Sequence, residues 1–149
     1  MSTIFELEKN SVKSDNSFSL SAQLGTFSRI RIGRGKPTEK LYSSGWVEVD
    51  NTNISIVTYF SDSQVISKTF AHGLTIENNI QIHLALSVKD KIDVTVVSNG
   101  KSFTQRDDWK GFNGTLFAES IGSTLNGVRF SWSCKKLNSD IWMFGDSYF

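Results

Sequence analysis

One cysteine, one proline and two histidines in 149 residues are the chain's conspicuous shortages, and each narrows the chemistry open to it. Cys134 alone cannot close an intramolecular disulfide or build a cysteine cage for zinc. His72 and His83 leave little material for histidine-based metal binding or acid–base chemistry. No metal or other cofactor is therefore expected. Charge of one sign is lacking too: 16 Lys and Arg stand against 15 Asp and Glu, for a formal net charge of +1. A nucleic-acid or anionic-membrane partner normally leaves a basic stripe in the sequence, so neither is an expected partner. No apolar run approaches the roughly 18 residues of a membrane-spanning helix. Residues 1–16 are polar and charged, without a signal-peptide core, so the expectation is a chain that is cytoplasmic by default.

What is present is a globular composition. Hydrophobic residues make up 38% and charged residues 21%, which excludes a disordered tail, and the length suits one packed domain. Period-2 alternation dominates, and no helical face runs beyond two turns. The clearest strand is Ile80 to Val88, with Ile80, Ile82, Leu84, Leu86 and Val88 on one face. Lys89-Asp90-Lys91 turns it into Ile92 to Val97, and Asn99-Gly100 turns that into Lys101 to Thr104. Asn-Gly between alternating runs marks a hairpin, because both central residues must take positive φ. Further strands are expected at Phe18–Leu24, Ser28–Ile32, Trp46–Asp50, Ile54–Phe60, Gln64–Phe70, Gly114–Ser120 and Val128–Ser133. About ten short strands at regular spacing predict an all-β, antiparallel two-sheet β-sandwich of jelly-roll, concanavalin-like or galactose-binding-like type. Its core should hold Ile82, Leu84, Leu86, Val94 and Val96, and residues 1 to about 15 read as a loose lead-in.

Gly33-Arg34-Gly35-Lys36-Pro37-Thr38 imitates a phosphate loop but fails its spacing. Ile30 stands where the first glycine belongs, and Pro37 where Ser or Thr must follow the lysine. It reads as a basic loop between strands. Asn53-Ile54-Ser55 and Asn113-Gly114-Thr115 match the glycosylation triplet, which is common by chance. His83 belongs to the polar face of its strand, and His72 to a turn at a strand end, where hydrogen bonding is its expected role. Trp109 lies among Arg106, Asp107, Asp108, Lys110 and Gly111, a charged stretch where packing needs an aromatic least. An aromatic ring stacks on the apolar face of a pyranose while fixed polar groups read its hydroxyls. Trp109, with Asp107, Asp108 and Tyr42, is thus the expected contact set for a carbohydrate ligand; the competing reading has Trp109 folding back to cap the sandwich.

The chain closes on an apolar run, Asp140-Ile141-Trp142-Met143-Phe144, followed by Gly145-Asp146-Ser147. This resembles the first sequence block of the SGNH/GDSL hydrolases, in which a buried strand enters Gly-Asp-Ser and a helix follows. The resemblance covers residues 140–149. It implies that Ser147 is a nucleophile whose own backbone N–H serves as an oxyanion donor. The remaining blocks of the family, including its Asp-x-x-His, are missing from this sequence, so the polypeptide itself is expected to be inactive. In longer members of the family a β-sandwich often precedes this block. The division implied is a sandwich accessory domain over 1–138 and the start of a truncated hydrolase domain over 139–149, with the rest of that domain as a partner in cis. The function implied is that of an accessory domain of a serine acyl hydrolase acting on esters, including those of carbohydrates. A stand-alone carbohydrate-binding module and a structural or interaction domain without catalysis are the alternatives. A β-glycanase is weaker, because Glu48-Val49-Asp50 supplies only half of the paired-acid pattern such an enzyme needs.

Overall fold

The computed structural model describes residues 2–6, 14–24, 29–34, 44–61, 64–76, 80–86, 91–109, 116–121, 129–136 and 140–148. All regular structure among them is β: β1 Ser2–Glu6, β2 Ser14–Leu24, β3 Arg29–Arg34, β4 Ser44–Asp50, β5 Asn53–Ser61, β6 Gln64–Ala71, β7 Ile80–Leu86, β8 Lys91–Ser98, β9 Lys101–Asp108, β10 Leu116–Ile121, β11 Arg129–Lys136 and β12 Trp142–Tyr148. They form two six-stranded antiparallel sheets, ordered β1-β10-β3-β4-β5-β6 in sheet 1 and β12-β11-β2-β7-β8-β9 in sheet 2. Asn99 and Gly100 have φ of 52° and 75°, as the hairpin between β8 and β9 requires.

The core follows from parity. Ile30, Ile32, Val47, Val49, Ile54, Ile56 and Ala118 point inward from sheet 1. They meet Ile80, Ile82, Leu84, Ile92, Val94, Val96 and Phe130 from sheet 2. Along β8 burial alternates without a break, because a strand with one face on a core must bury every second residue. Ile82, Leu84, Val94 and Val96 occupy the core as the alternation predicts, while the side chain of Leu86 lies outside the described set, as does Val88.

Two elements depart from expectation. Residues 2–6, read as part of a lead-in, pair with β10 and make β1 the edge of sheet 1. Residues 142–148 pair with β11 through seven registered positions and make β12 the edge of sheet 2. The expected 138/139 division itself lies outside the described residues, and 142–148 beyond it form a strand of the same sandwich.

Candidate functional site

Among the described residues expected to carry function, Trp109, Asp107 and Asp108 each have partners within the sandwich. Trp109 is only 1% exposed. Its ring lies on Gly45, where an added Cβ would come within 2.6 Å of the indole, and its Nε1–H donates to the Val57 carbonyl at 3.1 Å. A ring enclosed in the core offers no face to a sugar, so the capping reading holds and the stacking one is corrected. Asp107 and Asp108 lie in strand β9 rather than in a loop. Asp107 accepts a hydrogen bond from Lys68 of β6 at 2.8 Å, and Asp108 pairs with Lys91. The Lys68 ammonium holds the Asp107 carboxyl below its ordinary range; the Asp108 N–H adds to this, against a smaller opposing effect of burial. Tyr42 lies outside the described residues.

Gly145-Asp146-Ser147 is also reassigned by its surroundings. The three residues stand inside β12, opposite Trp132, Ser131 and Phe130 of β11, and not on a strand-to-helix turn. Gly145 is needed because the Trp132 ring lies where its Cβ would be. Asp146 is engaged by Ser131, whose hydroxyl donates at 2.5 Å, and by Arg129 at 3.7 Å. The glycine and the aspartate of the motif are thus each met by a neighbour in β11. The side chain of Ser147 lies outside the described set. The resemblance gains no structural counterpart in residues 142–148, which run as an extended edge strand along β11 and not as a strand entering a helix.

The histidines behave as their positions suggest. His72 is buried, accepting the Leu74 N–H on Nδ1 at 3.0 Å and facing the Asp50 carbonyl through Nε2 at 2.9 Å. That pattern fixes the tautomer with hydrogen on Nε2 and pins the exit of β6 to the β4–β5 turn. His83 is exposed on β7, with Nδ1 at 2.6 Å from the Ser21 hydroxyl of β2. Among the described residues no group of three or more His, Cys, Asp or Glu is placed to hold a metal ion.

A built polar cluster does exist, on the outer face of sheet 1. Register aligns Glu119, Arg31, Glu48, Ser55 and Thr69 in one row across β10, β3, β4, β5 and β6. Arg31 donates from Nε to Glu48 at 2.6 Å and from Nη1 to Glu119 at 3.3 Å. Arg29 comes within 3.9 Å of the same Glu48 oxygen, and the hydroxyls of Ser55 and Thr69 are 3.0 Å apart. In the neighbouring row stands Trp46, half-buried, with the Arg31 guanidinium 5.6 Å from its ring centroid. Arg31 keeps 28% of its side chain exposed, while Glu119 keeps 6%. The guanidinium is therefore held in one orientation by two carboxylates and an aromatic plane, yet still faces solvent. No sequence pattern local to any one strand brings these residues together, since they come from five strands. Alternation does assign Arg31 and Glu48 to the outer face, and that was the available signal.

The arrangement of sheets can be set beside solved structures. A double mutant of congerin II superposes with a TM-score of 0.54 at 13% identity, over 86% of this chain and 99% of that one. A lactose- and MES-liganded congerin II does so with a TM-score of 0.51 at 12% identity, over the same shares. The fold is galectin-like. No protein-family model matches the chain, and no curated protein matches it by sequence. The galectin-like sandwich is thus shared as architecture, carried here by a different sequence.

Proposed function

We propose that this chain is a carbohydrate-binding domain whose site is the outer face of sheet 1, centred on Arg31, Glu48, Glu119 and Trp46. The observation that carries the reading is the fixed Arg31 guanidinium, braced by Glu48 and Glu119 and laid over the Trp46 ring. Sugar recognition requires charged groups whose hydrogen-bonding directions are set before the ligand arrives, because each side chain immobilised on binding costs about 0.5–1.5 kcal/mol. The two carboxylates have already fixed Arg31. Its remaining N–H groups and the second oxygen of Glu48 suit the paired hydroxyls of a pyranose, the buried Glu119 braces the guanidinium from behind, and Trp46 supplies an apolar surface for the sugar's C–H face. Ser55 and Thr69 continue the polar row. The fold match supports the same reading, since one congerin II neighbour is described as lactose-liganded.

The ester-hydrolase reading, with Ser147 as nucleophile, has no observation in its favour among the described residues and is not carried forward. The test of the binding reading is calorimetric titration with lactose and a panel of neutral glycans, comparing wild type with Trp46→Ala. Binding weakened at least tenfold by Trp46→Ala, in a variant that keeps the wild-type circular dichroism spectrum, is the expected result. Equal affinity in the two proteins would remove this site, and no binding by the wild type would leave a structural or interaction domain.

A further inference from the structure

The opposite face of the molecule carries an arrangement that the site on sheet 1 does not use. Among the described residues, four large hydrophobic side chains are exposed: Ile66 at 51%, Ile141 at 61%, Trp142 at 45% and Phe144 at 76%. Trp142 and Phe144 stand two apart in β12, so they share one face of the edge strand, about 7 Å apart along it. That face is the outer one, because Gly145 meets the Trp132 ring and Met143 packs on the core.

Beside the two rings lies a row of small polar groups. Register places Asp146, Ser131, Ser21, His83, Thr95 and Thr104 side by side across all six strands of sheet 2. They are hydrogen-bonded in pairs: Ser131 to Asp146 at 2.5 Å, Ser21 to His83 at 2.6 Å and Thr95 to Thr104 at 3.1 Å. Pairing fixes the orientations while leaving outward lone pairs and His83 Nε2 for a ligand. Among the described side chains, charges on this face are matched in pairs, with Asp146 beside Arg129 and Asp93 held by two bonds from Arg106 at 2.6 and 2.9 Å.

We propose that the outer face of sheet 2 is a second binding surface, taking an extended neutral glycan that stacks on Trp142 and Phe144 and runs along the Ser131–Ser21–His83–Thr95 row. Charge and polarity select this occupant over the others. An ionic ligand would find its countercharges already paired. An apolar peptide or an apolar face of a second copy of the chain would cover the rings but strip water from the outward lone pairs of the row and from His83 Nε2 without replacing it, which disfavours that occupant. A neutral sugar chain offers C–H faces to the rings and hydroxyls to the row. Its length follows from the sheet: five inter-strand spacings span about 24 Å, well beyond a disaccharide.

The experiment is calorimetric titration with cellohexaose, maltohexaose and N-acetylchitohexaose, each compared with its disaccharide, alongside sedimentation velocity of the unliganded protein. Wild type should bind at least one hexasaccharide at least tenfold more tightly than the matching disaccharide. The double variant Trp142→Ala/Phe144→Ala should lose that binding while keeping its melting temperature, since both side chains are exposed. Trp46→Ala, on the other sheet, should retain it, which separates this surface from the site on sheet 1. Four results overturn the proposal: no hexasaccharide binds, binding survives loss of both rings, Trp46→Ala abolishes it, or the wild type self-associates and the double variant does not.

Discussion

Four tryptophans meet four different surroundings here, and the differences are those of hydrogen bonding and cover. Trp46 shares its face with a guanidinium, and Trp142 stands in solvent. Trp109 and Trp132 each lie against a glycine of another strand, Gly45 and Gly145. The indole N–H of Trp109 is satisfied by Val57, whereas that of Trp132 is buried without a partner among the described residues. Replacing each by Phe removes similar volume but opposite polar consequences follow. Trp109→Phe removes the bond to the Val57 carbonyl, while Trp132→Phe deletes a donor with no partner among the described residues. Trp109→Phe should therefore cost about 1–3 kcal/mol more than Trp132→Phe in chemical denaturation. Equal losses would show that the Val57 contact contributes nothing. Gly145→Ala belongs to the same scale: its Cβ would overlap the Trp132 ring, and overpacking of this kind costs about 1–3 kcal/mol. A glycine serving only a catalytic turn would accept alanine without that penalty from Trp132.

At the scale of elements, the β7–β8–β9 meander was legible because its signals are local. Alternating apolar residues gave the buried face, and Asn99-Gly100 gave the reversal. Leu84 tests that face, since it is 1% exposed in the contiguous core. Leu84→Ala should cost about 2–5 kcal/mol by urea denaturation, through lost burial and the cavity left behind; a loss below about 1 kcal/mol would mean the core closes over the gap. Two of the four edge strands, β1 and β12, were not legible. β1 carries little local signal, and its place is set by pairing with β10 at the far end of the chain. In β12 the glycine and the aspartate answer to Trp132 and Ser131 across the ladder, so a run of residues in sequence imitated a turn motif that the strand does not form. Trp109 misled for the same reason. Arg106 and Asp108 beside it in sequence are exposed on β9, but the space it fills was opened by Gly45, on the other sheet.

At the scale of the whole molecule, the two sheets are joined by apolar contact and, along one pair of edges, by charge. Lys68 of β6 ends sheet 1, Asp107 of β9 ends sheet 2, and their ion pair at 2.8 Å clasps the sandwich there. A second carboxylate, Asp50, holds the β4–β5 turn by accepting from the Thr52 N–H and hydroxyl and the Asn53 N–H, at 2.9, 3.2 and 2.6 Å. Burial pushes Asp50 upward, but these hydrogen bonds outweigh it, so Asp50 and Asp107 both titrate below the ordinary aspartate value of 3.8. A carboxyl whose folded value lies below its unfolded one binds protons more readily after unfolding. Its stabilisation is therefore complete above the unfolded value and is lost as pH falls through the folded one. Unfolding free energy should hold level from pH 7 to about pH 5 as far as these two groups decide it, then fall below about pH 4. Asp50→Asn/Asp107→Asn should be less stable than wild type at pH 7 and show a shallower decline in acid, so that the two curves converge toward pH 2. Urea denaturation at a series of pH values reads this directly. A double variant that loses stability as steeply as wild type below pH 4 would place the acid sensitivity in other carboxylates and leave the Lys68–Asp107 clasp without a role in holding the sheets together.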